Sequence, residues 1–141
     1  MEIYMGYFDQ TIKDVLSEIE NGILFLPAIQ RKFVWNEEQI TKLFDSLMRG
    51  YPIGTFLFWN IDKEKDNIKD YVFYDFIRDC HERDFNQNPI RDTIIKDQFK
   101  VALDGQQRLT SLYISLMGSL ATKEPRKYWS NDDAFPKKNY I

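Results

Sequence analysis

The sequence contains very few of the residues that build disulfides and metal centres. Cysteine and histidine each occur once, as the neighbours Cys80 and His81. A lone cysteine forms no intramolecular disulfide, and a lone histidine without a partner at ligand spacing does not predict a metal site. The serines and threonines have no further histidine to act as a base, so a nucleophilic triad is not predicted either. We expect His81 to face solvent.

Long apolar runs and an excess of basic residues are also missing. No stretch reaches the length of a membrane span, and the N-terminus does not combine a charged region with an apolar one. We therefore predict a cytoplasmic protein without a membrane partner. The formal net charge is -3 and the sequence pI is about 5.2. A domain that clamps duplex DNA is usually basic, so this balance disfavours a DNA clamp. It permits a small ligand whose phosphates are held by one or two arginines.

The residues that are abundant can build a core. Hydrophobic residues make up 43% of the chain and aromatic residues 16%, which is too rich for disorder. A chain of 141 residues corresponds to about one domain. The recognisable motifs lie within residues 10–120, whereas residues 121–141 are polar and end without a closing element. We expect residues 1–141 to form a single domain of a longer protein, with 121–141 as a tail or the start of the next segment.

Three segments carry the apolar spacing of an amphipathic helix, at i, i+3, i+4 and i+7. The three stripes are Ile12, Val15, Leu16 and Ile19; Ile40, Leu43, Phe44 and Leu47; and Leu109, Leu112, Tyr113 and Leu116. Thr11 and Asn36 stand at the N-cap positions of the first two helices, and Gln39 completes a capping box with Asn36. Gly22 and Gly50 follow the same two helices. A fourth helix is predicted over Asp70 to Arg83, where the apolar residues are only partly in phase.

Short strands are predicted between the helices. They cover Ile23–Phe25, Gly54–Trp59 and Phe99–Leu103, which are rich in β-branched and aromatic residues. Residues 84–97 are polar and indicate a loop or insertion. This alternation predicts an α+β domain, a small mixed sheet with packed helices. Periodicity alone leaves its topology open.

The first polar cluster is Gln30-Arg31, inside the segment Leu26–Trp35 that leads to the Asn36 cap. One interpretation is a simple loop in which Arg31 stacks on Trp35 or pairs with a surface acid. The other is a binding site, because Gln30 and Arg31 follow a strand in a largely apolar segment, and a guanidinium near a core must find acceptors. A phosphate or carboxylate meets that need, since the guanidinium fork binds oxyanions through two parallel hydrogen bonds.

The second polar cluster is Asp104-Gly105-Gln106-Gln107-Arg108, between an apolar strand and the third helix. A glycine turn from strand to helix is a recurrent anion site, because the first N–H groups of the helix point outward at its positive end. The alternative is local capping, with Asp104 as N-cap and Gln107 completing a capping box. Capping does not account for Gln106, nor for Arg108 on the first turn, where its charge opposes the helix dipole. We therefore favour the anion site.

A third and weaker candidate is the turn Pro52-Ile53-Gly54-Thr55. Its glycine permits close approach of the backbone to a ligand, although an ordinary turn explains it equally well.

A nucleotide ligand would give each of these residues a role. Arg31 and Arg108 would contact phosphate oxygens. Gln106 and Gln107 would orient a water molecule or hydrogen-bond the phosphate and sugar, and Asp104 would hold Mg²⁺. The chain lacks GxxxxGK[ST], so it is not a P-loop enzyme. The expected catalytic residues are Asp104, Gln106, Gln107 and Arg108, with Asp104 as the metal ligand. The expected nucleotide-binding residues are Gln30, Arg31, Trp35, Gly54, Thr55, Gly105, Arg108 and Thr110.

Three motifs in register resemble the N-terminal domain of GmrSD-type modification-dependent restriction proteins. They are Leu26–Trp35, Gly50–Gly54 and Leu103–Leu112, and the resemblance covers most of residues 10–120. One position departs from the family: relatives often carry an aromatic residue before Gln-Arg, where this chain has Ile29. An isoleucine neither stacks on a base nor donates a hydrogen bond, so sensing of modified DNA is not carried over to this position.

The resemblance implies a ParB/sulfiredoxin-like fold, with nucleotide binding and hydrolysis at the Asp-Gly-Gln-Gln-Arg turn. It also implies a part in restricting foreign or phage DNA, in which the full-length protein works on DNA with a C-terminal nuclease domain or partner subunit. Nuclease activity is not expected in this chain. The preferred hypothesis is an NTP-binding and NTP-hydrolysing regulatory domain. The alternatives are a non-enzymatic DNA-recognition or partner-docking module, and clusters that only stabilise the core, with Arg31 and Arg108 satisfied by internal acids.

Overall fold

A computed structural model of the chain describes residues 6–29 and 33–139. Its helices are α1 (Ile12–Glu20), α2 (Glu37–Met48) and α3 (Gln106–Met117), with a short 3-10 helix at Asp132–Ala134. Its strands are β1 (Leu24–Pro27), β2 (Leu57–Asp62), β3 (Phe73–Tyr74), β4 (Asp79–His81), β5 (Ile90–Arg91), β6 (Gln98–Asp104), β7 (Ser119–Ala121) and β8 (Lys137–Lys138). The predicted α+β class, a mixed sheet with packed helices, is confirmed. The likeness to ParB and sulfiredoxin stays a prediction.

Local signals determine the first two helices. The Thr11 side chain accepts a hydrogen bond from the Asp14 N–H and starts α1. Asn36 and Gln39 form the predicted capping box at the start of α2, each side chain accepting from the backbone of the other. Such pairs satisfy N–H groups that the helix itself leaves without acceptors.

The larger sheet has the strand order β2-β6-β1-β3-β5. Strand β6 lies beside β1 in parallel and beside β2 in antiparallel orientation, and β1–β3 and β3–β5 are antiparallel. A smaller sheet has the order β4-β7-β8. Helix α3 follows β6 directly and is followed by β7, so it connects the two sheets.

The interior strands β1 and β6 of the larger sheet are buried on both faces. Leu24 and Leu26 of β1 pack with apolar residues of all three helices, whereas Phe25 points the opposite way and meets Phe99 and Val101 of β6. This alternation follows from the period of two along a strand. The middle of α3 is buried on every side, from Leu109 to Ser115, because it lies between the sheet and a further cluster around Ile114 and Leu120.

The fourth predicted helix is wrong. Residues 70–83 contain strands β3 and β4, which pair with β1 and β7. The 84–97 region is mostly loop, as predicted, with the two-residue strand β5 inside it. The tail does have a closing element: β8 pairs with β7, and Ala134 and Phe135 are buried against Ala121. No helix of the described ranges is long and apolar enough to cross a membrane.

Candidate functional site

Strand β6 ends at Asp104, and Gly105 turns the chain into α3. Gly105 has a φ of 83°, in the left-handed region, and occupies the N-cap position of α3 without a side-chain hydrogen bond. The predicted capping role of Asp104 and Gln107 is therefore wrong. The glycine turn leaves Asp104 one residue short of the cap, at the end of β6 opposite Leu57, where it is exposed.

Arg108 is held by the backbone of the turn before β2. Its Nη1 donates to the Ile53 carbonyl at 2.6 Å, and its Nη2 donates to the Thr55 carbonyl at 2.8 Å. No carboxylate pairs with it in the ranges 6–29 and 33–139. The internal acid expected from a purely core-stabilising role is thus replaced by two carbonyls. Carbonyls orient the guanidinium but, unlike a carboxylate, they carry no formal charge that would cancel its net positive charge.

The Pro52–Thr55 turn and the Asp104–Arg108 turn meet through this arginine. Gly54 has a φ of 91°, and a Cβ atom there would lie 2.5 Å from Arg108 Nη1. The close approach that the sequence suggested for Gly54 is therefore made to an arginine of the chain itself.

Phe56 is the residue of this site that the sequence analysis missed. Arg108 Cζ lies 4.6 Å from the centroid of the Phe56 ring. A Cβ atom on Gly105 would lie 2.3 Å from Cδ1 of the same ring. The Phe56 ring therefore packs against both the Gly105 backbone and the Arg108 guanidinium. In the sequence it is one of several aromatic residues of a strand-like run, with nothing to mark it.

The two glutamines bond to backbone groups. The Gln106 amide donates to the Ala102 carbonyl at 3.0 Å, and the Gln107 Oε1 accepts from the Val34 N–H at 3.1 Å. Thr110 is buried, with its hydroxyl donating to the Gln106 carbonyl at 2.8 Å. Trp35 is half-buried between two apolar clusters. The side chains of these predicted site residues on α3 thus bond to the backbone around the turn.

Gln30 and Arg31 lie outside the described residues. The segment that carries them can still be placed at its ends. Ile29 is 92% exposed, Phe33 is buried, and Val34 bonds to Gln107. Val34, which lies shortly before α2, is therefore tied to the first turn of α3, and this bond brings the end of the first sequence motif beside the second.

A second arginine stacks on a phenylalanine at the far end of the molecule. Arg83 Cζ lies 4.8 Å from the Phe135 ring centroid, and its guanidinium bonds to the carboxylates of Asp84 and Asp132. The guanidinium holds the pKa of Asp84 below its usual range. His81 lies on the same ring at 4.8 Å and is only 28% exposed at its side chain, so the expectation of a solvent-facing histidine is wrong. No group of three or more metal-ligating side chains exists within the part of the chain that the structure describes.

The family can now be stated. Residues 12–140 match the model of the GmrSD restriction endonuclease N-terminal domain. The chain belongs to this family. An uncharacterized protein of Methanocaldococcus jannaschii is 35% identical over 112 residues, which make up 79% of this chain and 18% of that protein. The chain thus spans less than a fifth of the length of this curated relative. The resemblance drawn from the three motifs is confirmed, and the GmrSD-type domain is the N-terminal part of a restriction protein.

Proposed function

We propose that the start of α3 binds the phosphates of a nucleoside triphosphate, and that the domain hydrolyses it to regulate a DNA restriction protein. The observation that carries this proposal is the pairing of an uncapped helix start with a carbonyl-held arginine. Gly105 offers no side chain to the first N–H groups of α3, and Arg108 beside them has no carboxylate among the described residues.

Both features favour an anion as ligand. N–H groups at a helix start need acceptors, and a positive charge on the first turn works against the dipole by a few tenths of a kcal/mol. A phosphate accepts from the N–H groups and neutralises the guanidinium, so one ligand satisfies both. Because the Ile53 and Thr55 carbonyls already fix the guanidinium, little side-chain entropy is lost when the phosphate binds.

Magnesium fits this turn as a companion of the nucleotide. Asp104 supplies one exposed carboxylate, and the described residues form no larger ligand cluster around it. Mg²⁺ is commonly held by one or two carboxylates together with phosphates and water. Asp104 is the residue that would hold it, and the ion would neutralise charge on the phosphates during transfer.

Gln106 is the residue to which we assign the attacking water. Its amide nitrogen is fixed on the Ala102 carbonyl, while none of the described residues bonds to its amide oxygen. An oxygen fixed in this way can accept a hydrogen bond from water and hold it near a phosphate. Gln107 instead ties α3 to Val34 and positions the turn.

Calorimetric titration with each NTP and Mg²⁺ tests this function. The matched variants are Arg108→Ala and Arg83→Ala, since both arginines stack on a phenylalanine and only Arg108 borders the helix start. A charge-assisted hydrogen bond contributes about 1.5–3 kcal/mol, so Arg108→Ala should weaken binding by about ten- to a hundredfold. Arg83→Ala should bind like the parent chain. Failure of the folded parent chain to bind any NTP would end the proposal.

The alternative is a non-enzymatic module that docks DNA or a partner. The observation in its favour is an exposed apolar rim at the same turn: Val34 is 68% exposed, Leu57 50% and Leu103 46%. Salt-sensitive binding to a DNA duplex, without nucleotide binding, would support this module instead. Work on DNA and with a C-terminal nuclease domain or partner subunit belongs to the longer protein and is proposed under both alternatives.

A further inference from the structure

A cleft of about 540 Å³ lies away from the candidate site, where the end of α1, the segment between β3 and β4, and α3 meet. Its charged and hydroxyl-bearing lining consists of Glu20, Asp75, Arg78, Asp79, Arg91 and Tyr113. None of the described residues assigned to the nucleotide lines it, and no sequence motif pointed to it. Its size is that of a small-molecule site.

Arg78 is anchored at one end and poorly paired at the other. Its Nε donates to the Met117 carbonyl at 2.8 Å, whereas its Nη1 lies 3.5 Å from the Glu20 carboxylate. The same carboxylate oxygen accepts a hydrogen bond of 2.7 Å from the Tyr113 hydroxyl. Glu20 is thus bonded to the tyrosine, and the tip of Arg78 is left with a long ion pair in place of a charge-assisted hydrogen bond.

Arg91 is likewise held in place by its neighbours and weakly paired at its tip. Its guanidinium lies over the Phe25 ring at 5.6 Å, and a Cβ atom on Gly22 would come within 3.1 Å of its Nη2. Its Nε is buried without a hydrogen-bond partner in the described ranges, and its Nη1 lies 3.6 Å from the Asp75 carboxylate. Burial raises the pKa of Asp75 in spite of the nearby cation. This pair therefore leaves both of its members undercompensated.

We propose that this cleft binds a small phosphorylated ligand that also carries hydroxyl groups, such as a sugar phosphate. The phosphate takes the tips of Arg78 and Arg91, whose fork geometry matches its oxygens. The hydroxyl groups donate to Glu20 and Asp75. The ligand must carry both the phosphate and the hydroxyl groups, because the carboxylates of the lining repel a bare anion and need hydrogen-bond donors.

Three probes separate the two parts of this recognition: ribose 5-phosphate, inorganic phosphate and ribose. The readout is the Nε–H resonances of Arg78 and Arg91 in the NMR spectrum of the whole chain during titration to millimolar concentrations. Ribose 5-phosphate should produce saturable shifts with the highest affinity, inorganic phosphate weaker ones, and ribose the weakest. Absence of saturable shifts with all three probes overturns the proposal, as does equal affinity for ribose 5-phosphate and inorganic phosphate.

Charge-conserving variants test the two arginines. Arg78→Lys and Arg91→Lys keep the charge and remove the fork, and each should weaken ribose 5-phosphate binding about tenfold or more. Arg49→Lys is the matched control, because Arg49 is exposed at the C-terminal end of α2 and, among the described residues, pairs with Asp45 alone. Equal affinity of all three variants for ribose 5-phosphate overturns the proposal. So does a response confined to the backbone resonances of 105–108, which would place the probe at the nucleotide turn. The two arginines lie on separate segments, so one unfolded variant leaves the other to decide.

Discussion

The two arginine–phenylalanine stacks differ in what neutralises the arginine. Arg83 on Phe135 and Arg108 on Phe56 have nearly the same stacking distance, 4.8 and 4.6 Å. Arg83 meets two carboxylates, whereas Arg108 meets two backbone carbonyls. The first guanidinium is neutralised by carboxylates of the chain and holds the C-terminal tail in place. The second is fixed in position but keeps its charge, which is the condition for binding an anion.

Gly105→Ala should produce the largest effect. The new Cβ would lie 2.3 Å from the Phe56 ring at a φ of 83°, so overpacking adds to left-handed strain. We expect the free energy of unfolding to fall by about 3 kcal/mol, measured by denaturant titration. Gly50→Ala is the control, because Gly50 also has a positive φ, 72°, but nothing lies within 4 Å of its Cβ position. Its loss should be about 1 kcal/mol. Equal losses would mean that Phe56 does not restrict position 105.

Arg108→Ala should come next. It leaves the Ile53 and Thr55 carbonyls without their donor and uncovers Phe56, for a loss of about 2 kcal/mol in unfolding free energy. Arg83→Ala should cost less, because its partner carboxylates are exposed to water. The same denaturant titration measures both variants. A larger loss for Arg83→Ala would reverse the comparison and make the carbonyl contacts minor.

Asp104→Asn should affect hydrolysis far more than stability. Asp104 is not a helix cap, so the melting temperature of the variant should match that of the parent chain. Loss of the carboxylate should slow Mg²⁺-dependent NTP hydrolysis about tenfold or more while binding changes less. Turnover and calorimetry on the same samples check this. Unchanged turnover would remove Asp104 from the proposed magnesium site.

The smallest of the expected effects is a difference between the two stacks in their response to acid. The pKa of Asp84 is held below its ordinary value of 3.8 by Arg83, so the contact stabilises the fold above that pH. Its contribution is lost as the pH falls through the lowered value. The carbonyl partners of Arg108 do not titrate. The Nε–H resonance of Arg83 should therefore shift during an acid titration before that of Arg108. A shared midpoint would show that global unfolding alone is being observed.

The elements predicted well are those coded by neighbouring residues. The capping box of Asn36 and Gln39 needs only four positions of sequence, and it forms as expected. The helix predicted from Asp70 to Arg83 was wrong because β3 and β4 pair with strands far away in the chain. Short strands of two or three residues carry no readable period of their own.

The candidate site shows the same limit. The motif Asp104–Arg108 was recognisable, and the position of the turn before α3 followed from the strand and helix patterns. Its cap was not predictable, because no local pattern specifies the left-handed conformation of Gly105 or the packing of the Phe56 ring where a Cβ would lie. The meeting of Gly54 with Arg108 depends on the antiparallel pairing of β2 with β6, which no local pattern specifies.

The position of β6 has a consequence for the lifetime of the protein in the cell. This strand is an interior strand of its sheet, and its neighbours β2 and β1 come from earlier parts of the chain, so the turn at its end exists only in the assembled fold. A nucleotide bound there, as proposed, binds the native chain and not the unfolded one. At a concentration a hundredfold above its Kd it would add about 2.7 kcal/mol to the stability of the domain. The nucleotide supply of the cell would then set how long this protein escapes proteolysis.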